Sequence, residues 1–99
     1  MFSKTYLERR FACSRDKVEN ILFLLGYTTK RKVDFYRTTK RGRLHVKLDC
    51  MTANSCKIMI HHDLEGPSHY TIPLDSVPYK AIKEIKYRLL SVYGKSFEL

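Results

Sequence analysis

The chain has 99 residues, 43% of them apolar, and a formal net charge of +9 at pH 7. This composition argues against intrinsic disorder and is sufficient for a hydrophobic core. No apolar run reaches the ~18 residues that a membrane span needs, and the N-terminus has no signal-like apolar stretch. We therefore expect one domain over residues 1–99, no secretory signal and a cytoplasmic location, with Cys13, Cys50 and Cys56 as reduced thiols.

Residues 1–26 are predicted to be helical, in one of two ways. Apolar residues from Leu7 to Leu25 recur at intervals of three and four, which fits one long helix. Alternatively, Ser14 caps a second helix, and a short helix covers about residues 3–11. The capping residue favours the second version. In both versions Gly26 ends the helix with a left-handed cap.

The two-helix version resembles a helix-turn-helix, with Leu7, Phe11 and Val18 among its apolar positions. Two residues depart from that motif, since Glu8 replaces a small residue and Ala12 replaces the turn glycine. The face that would read DNA has a net charge of −1, which does not suit a negatively charged groove. It consists of Arg15, Asp16, Glu19, Asn20 and Phe23.

The pattern changes from helical to alternating after Gly26. It predicts strands at about 33–39, 43–50, 56–62 and 69–74, as an antiparallel meander within residues 30–75. A last helix is expected within residues 76–94, starting near Pro78. Its predicted buried stripe is Ile82, Ile85, Leu89 and Val92.

The predicted fold is therefore two-layer α+β. It has an antiparallel sheet of three to four strands, with the N-terminal helix or helix pair and the C-terminal helix on one face. This order of elements resembles that of double-stranded-RNA-binding domains. In those domains the final helix begins with a lysine-rich segment, which is matched here only by Lys80 and Lys83. No family is assigned on this resemblance.

The positive charge is concentrated in the hairpin predicted at residues 30–48. Residues 30–47 hold eight cations and one anion, Asp34, a local balance of +7. Arginine can hold a phosphate through two parallel hydrogen bonds, and an outward tyrosine can stack on a base or ribose. The alternative is a solvated hairpin whose cations protect a sheet edge. The predicted nucleic-acid contacts are Lys30, Arg31, Lys32, Tyr36, Arg37, Lys40, Arg41, Arg43 and Lys47, extended by Lys80 and Lys83.

The histidines raise two further hypotheses. The spacing of Cys50, Cys56, His61, His62 and His69 matches no zinc pattern, and adjacent histidines on a strand point to opposite faces. No metal site and no cofactor are therefore predicted. On the outward face, two histidines beside a lysine could cleave RNA without a metal by acid–base transfer. These low-ranked catalytic candidates are His45, Lys47 and His61.

We expect a small nucleic-acid-binding module that is not an enzyme, with RNA or structured nucleic acid favoured over sequence-specific DNA. The main alternative is an inhibitor or adaptor of the kind that phages and mobile elements encode. Such a protein docks on an acidic protein surface or on a nucleic-acid-processing complex. Exposure of Phe23 and Tyr87 would favour this alternative.

Overall fold

A computed structural model describes residues 6–40, 42–64 and 77–98. They form an α+β arrangement of five strands and two helices, which confirms the predicted class and the antiparallel sheet. The elements are β1 (Tyr6–Phe11), α1 (Arg15–Leu24), β2 (Thr28–Arg31), β3 (Asp34–Thr39), β4 (Gly42–Thr52), β5 (Ser55–Leu64) and α2 (Val77–Tyr93).

The sheet is organised around β4 and β5, the two longest strands. Its spatial order is β1-β5-β4-β3-β2, and every neighbouring pair is antiparallel. β3 ends at Thr39 and β4 begins at Gly42, and β4 and β5 are joined after Thr52, so the strands change where the sequence predicts turns. The strand predicted at 69–74 lies outside the described residues.

One face of the sheet is covered and the other is not. Along β4, Leu44, Val46 and Leu48 are buried, whereas Arg43 and Lys47, which alternate with them, are exposed. Both helices add to the same core, because α1 buries Val18, Ile21 and Leu22 and α2 buries Pro78, Ala81, Ile82, Ile85 and Leu89. The covered face therefore holds the core, and we call the opposite side the open face.

The limits of α1 follow from its capping residues. The side chain of Ser14 accepts a hydrogen bond from the backbone N–H of Lys17, as expected of an N-cap. Gly26 has φ +90°, and the N–H groups of Gly26 and Tyr27 donate to the carbonyls of Phe23 and Leu22. The prediction of a capped helix from Ser14 to the glycine is confirmed, and one long helix is wrong.

The predicted helix over residues 3–11 is also wrong, because Tyr6–Phe11 is strand β1. Leu7 and Phe11 are four residues apart, an interval that fits a strand as well as a helix. Pairing with β5 decides between them: Leu7 lies opposite Ile60 and Phe11 lies opposite Cys56. A strand in this place removes the first helix of the helix-turn-helix.

Two further differences concern β2 and α2. All four residues of β2 are exposed, so it has no apolar alternation by which to recognise a strand. In α2 the predicted member Val92 is 44% exposed, and Tyr93 beside it packs against the core instead. Within the described residues, neither helix combines the length and the apolar character needed to cross a membrane.

Cys50 and Cys56 form a disulfide between β4 and β5, which contradicts the expectation of three reduced thiols. The hairpin register places these residues side by side, and a cysteine count does not reveal such proximity. Cys13 remains a thiol and is buried, and this burial raises its pKa.

We expect the substitution Cys50→Ser to lower the free energy of unfolding by about 2 kcal/mol, because the unfolded chain loses a short cross-link. Urea unfolding with and without reductant measures this. Reductant should destabilise the wild type and a Cys13→Ser control by the same amount and leave Cys50→Ser unchanged. Wild-type stability that does not respond to reductant would contradict the disulfide.

Tyr27 lies at the junction of α1, β3 and α2. Its ring is 3% exposed, and among the described residues its hydroxyl has no hydrogen-bond partner. Burial raises the pKa of Tyr27 to about 12, although the nearby Arg37 guanidinium acts in the opposite direction. The folded state therefore keeps the phenol neutral at pH values where the unfolded chain ionises it.

This difference makes stability depend on pH at the alkaline end. The contribution of the protonated Tyr27 phenol to the free energy of unfolding is complete below the unfolded pKa of about 10. It is lost as pH rises towards 12, and the total loss is about 2–3 kcal/mol. We expect Tyr27→Phe to lose correspondingly less stability between pH 10 and 12, and to be no less stable than wild type at pH 7. Urea titrations of both proteins across this range test it, and parallel stability curves would contradict it.

Candidate functional site

The open face carries a continuous row of polar side chains across β3, β4 and β5. Tyr36 lies opposite His45, and His45 lies opposite His61. The Tyr36 and His45 rings stack with centroids 4.6 Å apart and an interplanar angle of 9°. The His45 and His61 rings meet edge to face at 4.5 Å. Cross-strand register therefore brings together three rings that are far apart in sequence.

A chain of hydrogen bonds runs through the two histidines. His45 Nε2 lies 2.8 Å from Asp34 Oδ1, and His45 Nδ1 lies 2.6 Å from His61 Nε2. His61 Nδ1 lies 2.8 Å from Asp63 Oδ1, and the other oxygen of Asp63 accepts from Arg43 Nε at 3.2 Å. Each histidine thus uses one ring nitrogen for a carboxylate and the other for its neighbour. We call His45, His61, Asp34 and Asp63 the histidine cluster.

Tyr36 organises cations as well as rings. The guanidinium carbon of Arg43 lies 4.5 Å from the centre of the Tyr36 ring, and Lys30 Nζ lies 5.6 Å from it. Both distances allow cation–π attraction. The ring lies on the open face as predicted, but it already contacts three side chains. Tyr36 would therefore act on a charged ligand indirectly, by holding Lys30 and Arg43 in place.

The basic residues of the hairpin divide into groups. The largest group lies at the β2–β3 end of the sheet, where Arg31 is opposite Asp34 and Asp34 is opposite Lys47. Among the described residues these cations form no ion pair, and the ion pair of Asp34 is with His45. We call this group the turn cluster, and it consists of Lys30, Arg31, Lys32 and Lys47.

Arg37 points to the covered face, away from the turn cluster. It donates to the carbonyl of Leu25 at 3.0 Å and to Glu84 Oε1 at 3.0 Å. Its guanidinium lies 4.7 Å from the centre of the Tyr27 ring. These contacts give Arg37 a role in joining β3 to the helices.

The other predicted contacts are elsewhere. Lys40 follows β3, so the length of that strand separates it from the β2–β3 turn. Arg43 lies on the open face but pairs with Asp63, and Arg41 lies outside the described residues. Lys80 and Lys83 belong to α2 and line a shallow groove on the helical side of the molecule with Leu25, Glu84, Tyr87 and Arg88. The structure therefore does not bring them together with the turn cluster.

The geometry also bears on the ribonuclease hypothesis. Acid–base cleavage needs one histidine on each side of the reacting phosphate. The facing nitrogens of His45 and His61 are 2.6 Å apart, which leaves no room for a phosphate between them. Lys47 lies two residues from His45 on the same face, as expected. The hypothesis remains a prediction from the sequence, and this arrangement does not favour it.

Sequence reasoning missed the partners of the histidines. The sequence pattern marks Asp34 only as the one negative charge of a basic hairpin. A plain two-residue turn at residues 53 and 54, with Thr52 opposite Ser55, would place His45 opposite His62. The register shift between Asp49 and Thr52 places His45 opposite His61, so the turn position alone was not a sufficient signal. His62 points to the covered face, as predicted from alternation, where its Nε2 lies 2.8 Å from Thr39 Oγ1.

Comparison with known proteins gives no independent guide to function. No protein-family model matches the chain, and neither the curated proteins nor the solved structures include a match to it.

Proposed function

We propose that the protein binds nucleic acid through the turn cluster, with single-stranded or structured RNA preferred to sequence-specific DNA. The observation that carries the proposal is four cations at one end of the sheet, none of which has an ion-pair partner among the described residues. Cations that the protein itself does not neutralise are available to phosphates.

The backbone that presents these cations is held in place. Arg15 of α1 donates to the carbonyl of Lys32, and the N–H of Leu48 donates to the carbonyl of Val33 at 2.9 Å. The hydroxyl of Thr29 donates to the carbonyl of Asp34 at 3.0 Å. A fixed turn lowers the entropy cost of ordering the binding surface, so most of the charge attraction contributes to affinity.

The composition of the turn cluster suggests phosphate contact without base reading. Lysine and arginine side chains on a phosphate backbone set position, whereas sequence is read by groups that reach base edges. The proposed surface is the end of a sheet and not a protruding helix. Strand β1 also occupies the residues predicted to form the first helix of a helix-turn-helix. For these reasons we favour contact with the phosphate backbone over recognition of a DNA sequence.

The double substitution Arg31→Glu/Lys32→Glu should weaken binding of a mixed-sequence single-stranded RNA by at least about tenfold. Loss of two phosphate contacts should also reduce the slope of log K against log salt by about 1.4. Fluorescence anisotropy across a salt series measures both quantities. Duplex RNA, single-stranded DNA and duplex DNA in the same assay rank the nucleic-acid types.

The matched control is Lys80→Glu/Lys83→Glu, which makes the same change in net charge on α2. We expect it to bind RNA within about threefold of the wild type, because Lys80 and Lys83 line a groove to which no residue of the turn cluster contributes. Equal losses in both double variants would reject the turn cluster in favour of attraction by overall charge. A wild type that binds none of the four nucleic acids would reject the proposed function.

A protein-docking role is the second candidate, and exposed aromatic residues on the helical side favour it. Phe23 of α1 is 49% exposed, and Tyr87 of α2 is 74% exposed with Leu90 one turn further along at 47%. Aromatic side chains of this exposure are common at the centres of protein interfaces. The acidic partner proposed from the sequence would still be attracted by the charge of +9.

Purification from cells without added nuclease separates the two candidates. If the protein binds nucleic acid, the absorbance ratio should show bound RNA in the wild type and in Tyr87→Arg/Leu90→Arg, and Arg31→Glu/Lys32→Glu should lose it. A co-purifying protein that is lost from the α2 variant, with no nucleic acid present, would instead support docking.

A further inference from the structure

The hydrogen bonds of His45 and His61 in the histidine cluster cannot all be formed while both imidazole rings are neutral. An ionised carboxylate only accepts hydrogen bonds, so Asp34 requires a proton on His45 Nε2, and Asp63 requires one on His61 Nδ1. A neutral imidazole has one N–H. When that N–H is used for the carboxylate, the other nitrogen presents a lone pair.

The two lone pairs then face each other. They belong to His45 Nδ1 and His61 Nε2, which are 2.6 Å apart. Two acceptors at this distance repel unless a cation lies between them. Either a proton or a metal ion can meet this requirement. Both are attracted by the carboxylates of Asp34 and Asp63 at the two ends of the hydrogen-bonded series.

We propose that His45 Nδ1 and His61 Nε2 bind one late first-row divalent metal ion of the zinc class, with Asp34 and Asp63 orienting the two rings. Metal-bound histidines nearly always donate their second ring N–H to a carboxylate or carbonyl. Both histidines here make that contact at 2.8 Å. The rings are thus oriented for coordination by groups that do not themselves need to contact the ion.

The distances are compatible with a metal after a small movement. Zinc–nitrogen bonds of about 2.0–2.1 Å at a tetrahedral angle separate two nitrogens by roughly 3.3 Å, so the rings need to part by about 0.7 Å. The His61 side chain is 34% exposed and can move outwards. Ligand atoms of His45, His61 and Asp63 lie within 4.8 Å of one another.

The ligand chemistry limits which ions fit. Neutral imidazole nitrogens suit Zn²⁺, Cu²⁺ and Ni²⁺, whereas Mg²⁺ and Ca²⁺ prefer oxygen ligands in larger numbers. The proposal does not depend on nucleic-acid binding, because none of the turn cluster belongs to the proposed ligand set. Each can therefore fail without the other.

Isothermal titration of ZnCl₂ into the protein tests the site. The protein is purified without a histidine tag, stripped with chelator and kept oxidised so that Cys50 and Cys56 stay paired. We expect one Zn²⁺ per chain and no response to MgCl₂. His45→Ala and His61→Ala should each abolish binding, and Asp34→Asn should weaken it by about 10- to 100-fold as a positioning residue.

Two controls exclude other ligands. Lys47→Gln on the same face and His69→Gln in the 65–76 segment should both bind Zn²⁺ as the wild type does. Nitrogen-15 NMR of the imidazoles gives a second readout that does not depend on the variants folding: Zn²⁺ should shift His45 Nδ1 and His61 Nε2 selectively. Unchanged imidazole signals at saturating Zn²⁺, or binding that survives in folded His45→Ala, would overturn the proposal and leave a proton between the rings.

Discussion

The pairing of β4 with β5 is the constraint on which the rest of the structure depends. Its register places Leu44, Val46 and Leu48 beside residues 58–62 of β5 on the covered face. The same register places His45 beside His61 on the open face. Because strand side chains alternate with a period of two, a slip of one residue would exchange the two faces. Core formation and the histidine cluster therefore follow from the same pairing.

The fold redistributes the charge that is contiguous in the sequence. Arg37 is drawn to the covered face by Glu84 and by the Tyr27 ring, and Arg43 is paired with Asp63. Asp34 lies among the remaining cations but is engaged by His45. Five described cations within residues 30–47 form no ion pair among the described residues, and four of them lie at the β2–β3 end. The proposed contact with a polyanionic ligand is therefore limited to this end of the sheet and does not extend over the whole hairpin.

The sequence predicted the elements whose signals are local. Alternation identified β3, β4 and most of β5, and Ser14 and Gly26 marked the limits of α1. It failed where a distant partner decides the structure: β1 is a strand because β5 pairs with it, and β2 has no buried residue that could reveal it. Two threonines at 28 and 29 were the available hint for β2, since β-branched residues favour strands.

The candidate site was predictable in part for the same reason. The basic character of residues 30–47 and the outward direction of Tyr36, His45 and Lys47 follow from composition and alternation. The contact between His45 and His61, and the disulfide further along the same hairpin, require the cross-strand register. Ligand spacing along the chain could not reveal a cluster whose members come from three strands.

NMR mapping of RNA contact tests the central claim most directly, because it locates the binding surface without changing any residue. With a nitrogen-15-labelled chain titrated with a single-stranded RNA, the account expects the largest amide shifts at residues 30–34 and at Lys47, with α2 little changed. Shifts concentrated in α2 around Tyr87, or no shifts at all, would contradict the assignment of the turn cluster as the phosphate-binding surface.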